Sequence, residues 1–169
     1  MPDTPEALFA AIQREHPGLI MRIVQAFAPA PGERDDLYQE ILLALWQAIP
    51  QFGDRSKLST YVYRVALNCA LNWQRSQRRY RDKLQNFARM PAESDPDLPP
   101  QVRARLQWLY ARIHELPPVD RSLILLSLDR LDYEAIAEIT GMSASNVGVR
   151  LHRIKQRLAA AAAEITHEI

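Results

Sequence analysis

Apolar residues recur every three or four positions along most of the chain, and this spacing predicts helices rather than strands. Within the first predicted helix, Pro17-Gly18 indicates a kink or a split. One side of the third predicted helix is expected to consist of Tyr61, Val65, Ala66, Cys69 and Trp73. Three helices are predicted in the first half of the chain. The first covers residues 6–28, and the second begins near residue 33 after a turn over 29–32. The third follows a polar loop over 50–59 and runs from about residue 60 to 79 or beyond.

A composition shift divides the chain. Residues 91–100 hold four prolines and three acidic residues, which marks the clearest linker. After it, Leu116-Pro117-Pro118 ends one predicted helix, and residues 119–128 form another. The pattern predicts an all-α fold of two small helical domains joined by a Pro-rich acidic linker. The predicted ranges are 1–88 for the first domain, 89–101 for the linker and 102–169 for the second domain.

The last two predicted helices have helix-turn-helix spacing. Asp132 is the expected N-cap of the first, Gly141 forms the turn, and Ser143 is the expected N-cap of the second. The buried side of the last helix is predicted to hold Val147, Leu151, Ile154 and Leu158, and the opposite side Ser145, Asn146, Val149, Arg150, Arg153 and Arg157. Such a helix fits the DNA major groove, with its first residues nearest the base edges. The alternative is an ordinary helical hairpin with a solvated arginine face.

The formal net charge of only +1 conceals a strong asymmetry. Residues 1–60 carry 5 basic and 8 acidic side chains, net −3, whereas residues 61–90 carry 7 basic and 1 acidic, net +6. Aromatic residues lie among the basic ones, and this combination is typical of single-stranded nucleic-acid binding. Each aromatic residue alone would be interpreted as part of the core. An acidic segment beside a basic one predicts partners of different kinds.

These features, in this order, resemble the extracytoplasmic-function group of the sigma-70 family of bacterial RNA polymerase sigma factors. The first lobe is similar to region two of that family over Asp35 to Ile41 and Ser59 to Asn68. The second lobe is similar to region four in Leu116-Pro117-Pro118 and from Tyr133 to Leu158. The resemblance covers roughly residues 6–85 and 102–160. It implies a non-enzymatic factor without a cofactor that directs core RNA polymerase to promoters and promotes their opening. The single cysteine, which cannot form an internal disulfide, and a first segment without the pattern of a signal peptide predict the cytoplasm.

The resemblance also implies roles for individual residues. It places the following at the polymerase interface: Asp36, Gln39 and Glu40. It places the following at the minus-ten element, with Asn68 beside a pocket for a flipped base: Tyr61, Arg64, Asn68, Arg75, Arg78 and Arg79. It places the following at the minus-thirty-five element: Ser143, Ser145, Asn146, Val149, Arg150 and Arg153. The implied partners are core polymerase, promoter DNA as duplex and as non-template single strand, and an anti-sigma factor.

The chain also departs from the family. Gly148-Val149 stands where many relatives carry a basic or small polar pair, and the glycine is expected to permit close approach of the backbone to DNA.

Cys69 lies in an apolar run and is expected to be a buried core thiol.

Two other functions stay open at this point. A duplex-DNA-binding regulator that acts without polymerase would explain the last two helices but not the basic, aromatic helix. A metal-dependent nucleic-acid enzyme would need convergent carboxylates, and the candidates are Asp35, Asp36, Glu40 and Asp54.

Overall fold

The computed structural model describes residues 4–53, 56–83 and 98–167, with the side chains of 78–83 and 164–167 outside this description. Over these residues it contains eight α-helices, one 3₁₀ turn and no β-strand, which confirms the predicted all-α fold. The helices are α1 (Pro5–Glu15), α2 (Pro17–Phe27), α3 (Pro31–Ala48), α4 (Leu58–Lys83), α5 (Pro100–Glu115), α6 (Pro118–Leu128), α7 (Tyr133–Thr140) and α8 (Ala144–His167), and the 3₁₀ turn is Ile49–Gln51.

The chain forms two compact units, Met1–Gln107 and Trp108–Ile169. Most of the predicted linker, residues 89–97, lies outside the described residues. Helix α5 begins at Pro100, two positions before the predicted start of the second domain, because proline is well suited to the first turn of a helix. The predicted domain boundaries therefore stay predictions.

Proline residues determine where helices α2 and α3 begin. Pro17 opens α2 directly after His16, so the predicted split of the first helix is confirmed. Pro31 opens α3, so the turn predicted over residues 29–32 is shorter than expected. The Glu33 carboxylate accepts a hydrogen bond from the backbone N–H of Ala30 at 3.3 Å, which satisfies one free donor at the start of α3.

The core of the first unit lies between α2, α3 and α4. Phe27 of α2 and Ile41 and Leu45 of α3 are fully buried there. Truncating such a side chain to alanine costs about 2–5 kcal/mol, so these residues fix the relative positions of the three helices.

The prediction of which side of α4 faces the core is wrong, because the helix is rotated about its axis relative to the expectation. Among the described side chains of α4, the buried apolar ones are Val62, Tyr63, Ala66, Leu67 and Ala70, and of the predicted stripe only Ala66 is among them. Because α4 packs against both α2 and α3, the small Ala66 and Ala70 let the backbones approach closely. The remaining members of the predicted stripe, Tyr61, Val65, Cys69 and Trp73, are half-buried at the edge of the core.

The second unit packs α6, α7 and α8 together. Leu123, Leu126, Ile136 and Leu151 are fully buried in its core. The guanidinium of the buried Arg121 donates from Nη2 to the carbonyl oxygens of His114 and Leu116, at 2.6 and 3.1 Å. These bonds satisfy carbonyl groups at the end of α5, where the following prolines end the helix.

The helix-turn-helix is confirmed in its local details. Asp132 Oδ1 accepts from the backbone N–H of Ala135 at 2.8 Å, and Ser143 Oγ accepts from that of Asn146 at 3.3 Å. Gly141 has φ 73°, a left-handed conformation that costs a residue with a side chain about 1–2 kcal/mol. Val147, Leu151 and Ile154 are buried as predicted, while Leu158 is half-buried.

Candidate nucleic-acid interface

The outer face of α4 brings together several residues that the sequence predicts to bind single-stranded DNA. Tyr61, Arg64, Asn68 and Arg75 follow one another at helical spacing and share one side of the helix. Asn68 and Arg75 are exposed, and Arg64 is half-buried. Arg78 and Arg79 continue the backbone of α4, but their side chains lie outside the described residues.

Tyr61 has a structural partner at the start of this face. Its hydroxyl donates to the carbonyl oxygen of Ala48 at 2.6 Å, and its ring lies 4.9 Å from that of Phe52, centroid to centroid. Burial raises the pKa of the Tyr61 hydroxyl, and the nearby Arg64 guanidinium opposes this shift. Tyr61 therefore ties α4 to the end of α3, and it holds the beginning of the basic face in place.

A cavity of about 580 Å³ opens between α3 and α4, beside Asn68. It has a carboxylate, two amides, a hydroxyl and an aromatic ring in an otherwise apolar wall, which consists of Glu40, Ala44, Val65, Asn68, Cys69, Asn72, Trp73 and Ser76. This set of groups suits a flat, polar-edged ligand such as an unpaired base. Sequence reasoning missed Asn72 and Ser76, although their spacing from Asn68 by whole helical turns was a usable signal.

Cys69 belongs to the wall of this cavity and not to the core, which corrects the sequence expectation. Burial and, second, the carboxylate of Glu40 raise the pKa of its thiol to about 11. The thiol is therefore neutral at physiological pH. Glu40 also lines this cavity, although the sequence assigned it to the polymerase interface alone.

The outer side of α3 presents a second candidate surface. Asp36, Gln39 and Glu40 are all exposed there, as the sequence predicts. Leu43 and Trp46 continue the same side at helical spacing and are 52% and 41% exposed. The sequence analysis assigned no role to either of them. The result is a stripe with an acidic beginning and an apolar end.

In the second unit, α8 presents the predicted duplex-binding residues. Ser143, Ser145, Asn146, Val149 and Arg153 are exposed. The hydroxyl of Ser143 also caps α8, so that residue stabilises the helix at the same time.

Arg150 differs from its neighbours on α8 because it has a partner within the unit. Its Nε and Nη2 groups donate to Asp120 Oδ1 at 2.9 and 2.6 Å. This ion pair links α8 to α6. The contact of Arg150 with DNA stays a prediction.

Gly148 packs against an aromatic ring. A Cβ atom added at Gly148 would lie 3.1 Å from Cε2 of Tyr133, closer than side chains normally approach. The sequence suggested that this glycine permits close approach of DNA, but the neighbour that the structure gives it is Tyr133.

The metal-site hypothesis receives no geometric support within residues 4–53, 56–83 and 98–167, where no group of three His, Cys, Asp or Glu residues converges. Asp54, one of its four candidates, lies outside the described residues. The described helices also include none that combines the length and apolarity needed to cross a membrane.

Comparison with known families identifies both units. The family model for sigma-70 region 2 matches residues 12–80, and that for sigma-70 region 4 matches residues 106–158. The ECF RNA polymerase sigma factor ShbA of Streptomyces griseus is 30% identical over 135 residues, covering 76% of this chain and 71% of that protein. The RNA polymerase sigma factor YlaC of Bacillus subtilis is 29% identical over 127 residues, covering 73% of both chains.

Two solved structures share the fold. The sigma factor RpoE from Bartonella quintana, in complex with the anti-sigma factor NepR, has a TM-score of 0.73 at 19% identity, covering 88% of this chain and 92% of that one. CnrH, in complex with the cytosolic domain of CnrY, has a TM-score of 0.68 at 17% identity, covering 96% and 91%. At these identities the likeness concerns the fold alone.

Proposed function

The chain belongs to the extracytoplasmic-function group of the sigma-70 family, and we propose how its residues carry out promoter-directed transcription initiation. As a sigma factor it acts with RNA polymerase on promoter DNA. The observation that supports the residue-level proposal is a pair of surfaces, α4 with its adjoining cavity in one unit and α8 in the other.

The first unit binds core polymerase through the outer side of α3. Asp36, Gln39 and Glu40 supply a fixed polar and anionic surface that suits a basic helical partner. The exposed Leu43 and Trp46 extend it with apolar area, which provides affinity where charge provides orientation. Both parts lie on one continuous helix, so a partner helix would contact them together.

The outer face of α4 binds the non-template strand of the minus-ten element after the duplex opens. Arg64 and Arg75, with Arg78 and Arg79 further along the helix, neutralise phosphates. Asn68 lies at the cavity between α3 and α4, where its amide offers a donor and an acceptor to the edge of a flipped base. Because this face binds the open strand better than the duplex, it shifts the equilibrium towards opening.

The second unit reads the minus-thirty-five element as duplex. The beginning of α8 enters the major groove, with Ser143, Ser145, Asn146 and Val149 nearest the base edges. Arg150 and Arg153 lie further along the helix, where phosphates pass.

Further properties follow from this role. The factor has no catalytic activity of its own and needs no cofactor, because RNA synthesis is carried out by the core enzyme. It works in the cytoplasm, where the polymerase is. An anti-sigma factor is a further proposed partner, in line with the complexes of two proteins that share its fold.

Reconstituted transcription tests the proposal. Core RNA polymerase with the purified chain is expected to produce discrete run-off transcripts from a subset of genomic fragments, and core polymerase alone is not. A regulator that binds duplex DNA without polymerase would leave core polymerase inactive and would not co-purify with it. Failure of both transcription and co-purification would refute the proposed function.

A further inference from the structure

Helix α8 contacts the other helices of its unit through the residues on both sides of Val149. Gly148 faces α7, because the ring of Tyr133 lies against it. Arg150 faces α6, because its guanidinium is paired with Asp120. Val149 lies between these two positions and therefore points directly away from the unit, with 50% of its surface exposed.

The residues one turn before and after Val149 complete the outer stripe of α8. They are Ser145 and Arg153, and both are exposed. A serine hydroxyl and a guanidinium can hydrogen-bond to base edges or phosphates. The isopropyl group of Val149 has no donor and no acceptor, so the centre of the stripe cannot read a base by hydrogen bonding.

Tyr133 packs against Gly148, the residue that precedes Val149. It begins α7 and is 45% exposed, and its ring covers the space that a side chain at position 148 would occupy. Any larger residue at position 148 would push the ring aside, since even a Cβ atom would lie only 3.1 Å from Cε2. The absence of a side chain at Gly148 thus leaves room for an aromatic ring at the position directly before Val149.

Apolar side chains in the major groove recognise one chemical group, the 5-methyl group of thymine. We propose that Val149 is a specificity-determining residue that selects thymine in the minus-thirty-five element through its methyl group. This inference rests on the proposed function of α8. Gly148 acts as a positioning residue, since it allows the ring to take its place.

Replacing thymine by deoxyuridine tests the inference, because this change removes only the methyl group. The probe is a promoter duplex obtained from the run-off experiment, with each thymine of the minus-thirty-five element replaced in turn. Binding of core polymerase loaded with the full chain is measured by titration. Loss of one buried methyl contact is expected to weaken binding about fourfold at one or two positions.

Three variants distinguish the source of this sensitivity. In Val149→Ala the fourfold effect of deoxyuridine is expected to disappear, and in Gly148→Ala to shrink, although alanine favours helix more than glycine does. Val119→Ala is the matched control, because Val119 is another exposed valine of the same unit. It is expected to keep the full effect. Thermal unfolding of each variant verifies that the unit is folded.

The outcomes separate the inference from the proposed function. If the chain supports initiation but no deoxyuridine substitution weakens binding, or if Val149→Ala remains equally sensitive, the inference is wrong while the function stands. The same holds if the element has no thymine within reach of α8. If the chain supports no initiation at all, both are wrong.

Discussion

The reactivity of the Cys69 thiol depends on its surroundings in the cavity beside α4, because burial and the Glu40 carboxylate raise its pKa from 9.0 to about 11. Iodoacetamide reacts with the thiolate, so the ionised fraction sets the rate of reaction. At a pH of about 9, a thiol with a pKa of 9.0 is about half ionised, whereas a pKa of about 11 leaves about 1% of Cys69 as thiolate. We expect alkylation of Cys69 in the folded chain to be roughly 50-fold slower than in urea at that pH, measured by mass spectrometry over time.

The sign of the shift also defines a stability window. A folded-state pKa above the ordinary value means that the contribution of the neutral thiol to stability is complete below about pH 9 and is lost as the pH rises towards 11. Glu40→Gln removes one of the two causes and should accelerate alkylation, whereas Asp36→Asn on the same helix should not. Equal rates in Glu40→Gln and the wild type would show that the carboxylate does not act on the thiol.

Residue-scale roles were predictable only where they depend on neighbours in sequence. The caps at Asp132 and Ser143 and the turn at Gly141 were correct, because each is set by the residue's own backbone and side chain within one turn. The environments of Cys69 and Gly148 were not, because each depends on a residue from another helix: Glu40 and Tyr133.

At the scale of the element, the Arg150–Asp120 pair fixes how α8 lies on α6. The Asp120 side chain is 15% exposed and the Arg150 side chain 37%, so water screens the pair only in part. Arg150→Ala and Asp120→Ala are each expected to lower the opening free energy of α8, with a coupling of about 1 kcal/mol in the double-mutant cycle. Native-state hydrogen exchange of α8 amides measures it.

Arg153→Ala supplies the matched control on the same helix. Its side chain is exposed, so its removal should leave exchange protection unchanged, while it weakens duplex binding and lowers the salt slope by about one. A coupling near zero between Arg150 and Asp120 would mean that the pair does not position α8. In that case the role of Arg150 would be restricted to phosphate binding, as proposed for Arg153.

The existence and approximate limits of the helices could be predicted from periodicity, but the rotation of α4 could not. Two apolar stripes run along α4, one with Val62 and Ala66, the other with Val65 and Cys69. Sequence spacing fits both equally well. The packing of α4 against both α2 and α3 selects the first, and the second becomes the wall of a cavity.

On the scale of the whole molecule, each surface that we propose to bind a partner lies on a single helix, so the residues that share it could be grouped from the sequence. The acidic side of α3, the basic face of α4 and the outer stripe of α8 follow from residues close in sequence. The cavity that connects the side of α3 with the face of α4 could not be predicted from the sequence. Glu40 and Asn68 line the same cavity because α3 packs on α4, and no local signal indicates that packing.

The first unit is proposed to bind core polymerase through α3 and the open minus-ten strand through α4, and variants at the shared cavity can test whether the two roles are separate. Asn68→Ala removes an amide from the cavity without altering the outer side of α3. It should reduce promoter opening about threefold to tenfold, the effect of one hydrogen bond, and leave affinity for core polymerase within about twofold. Permanganate reactivity of the minus-ten thymines measures opening, and titration of labelled core polymerase measures affinity.

Asp36→Ala and Glu40→Gln complete the comparison. Asp36 lies on the outer side of α3 and is not among the residues of the cavity wall, so its replacement should lower core affinity and leave the opening of already assembled complexes unchanged. Glu40 belongs to both surfaces, and Glu40→Gln should therefore affect both measurements. If Asn68→Ala lowered core affinity as much as Asp36→Ala does, the two surfaces would not be separable, and the base-binding role of Asn68 would have to be abandoned.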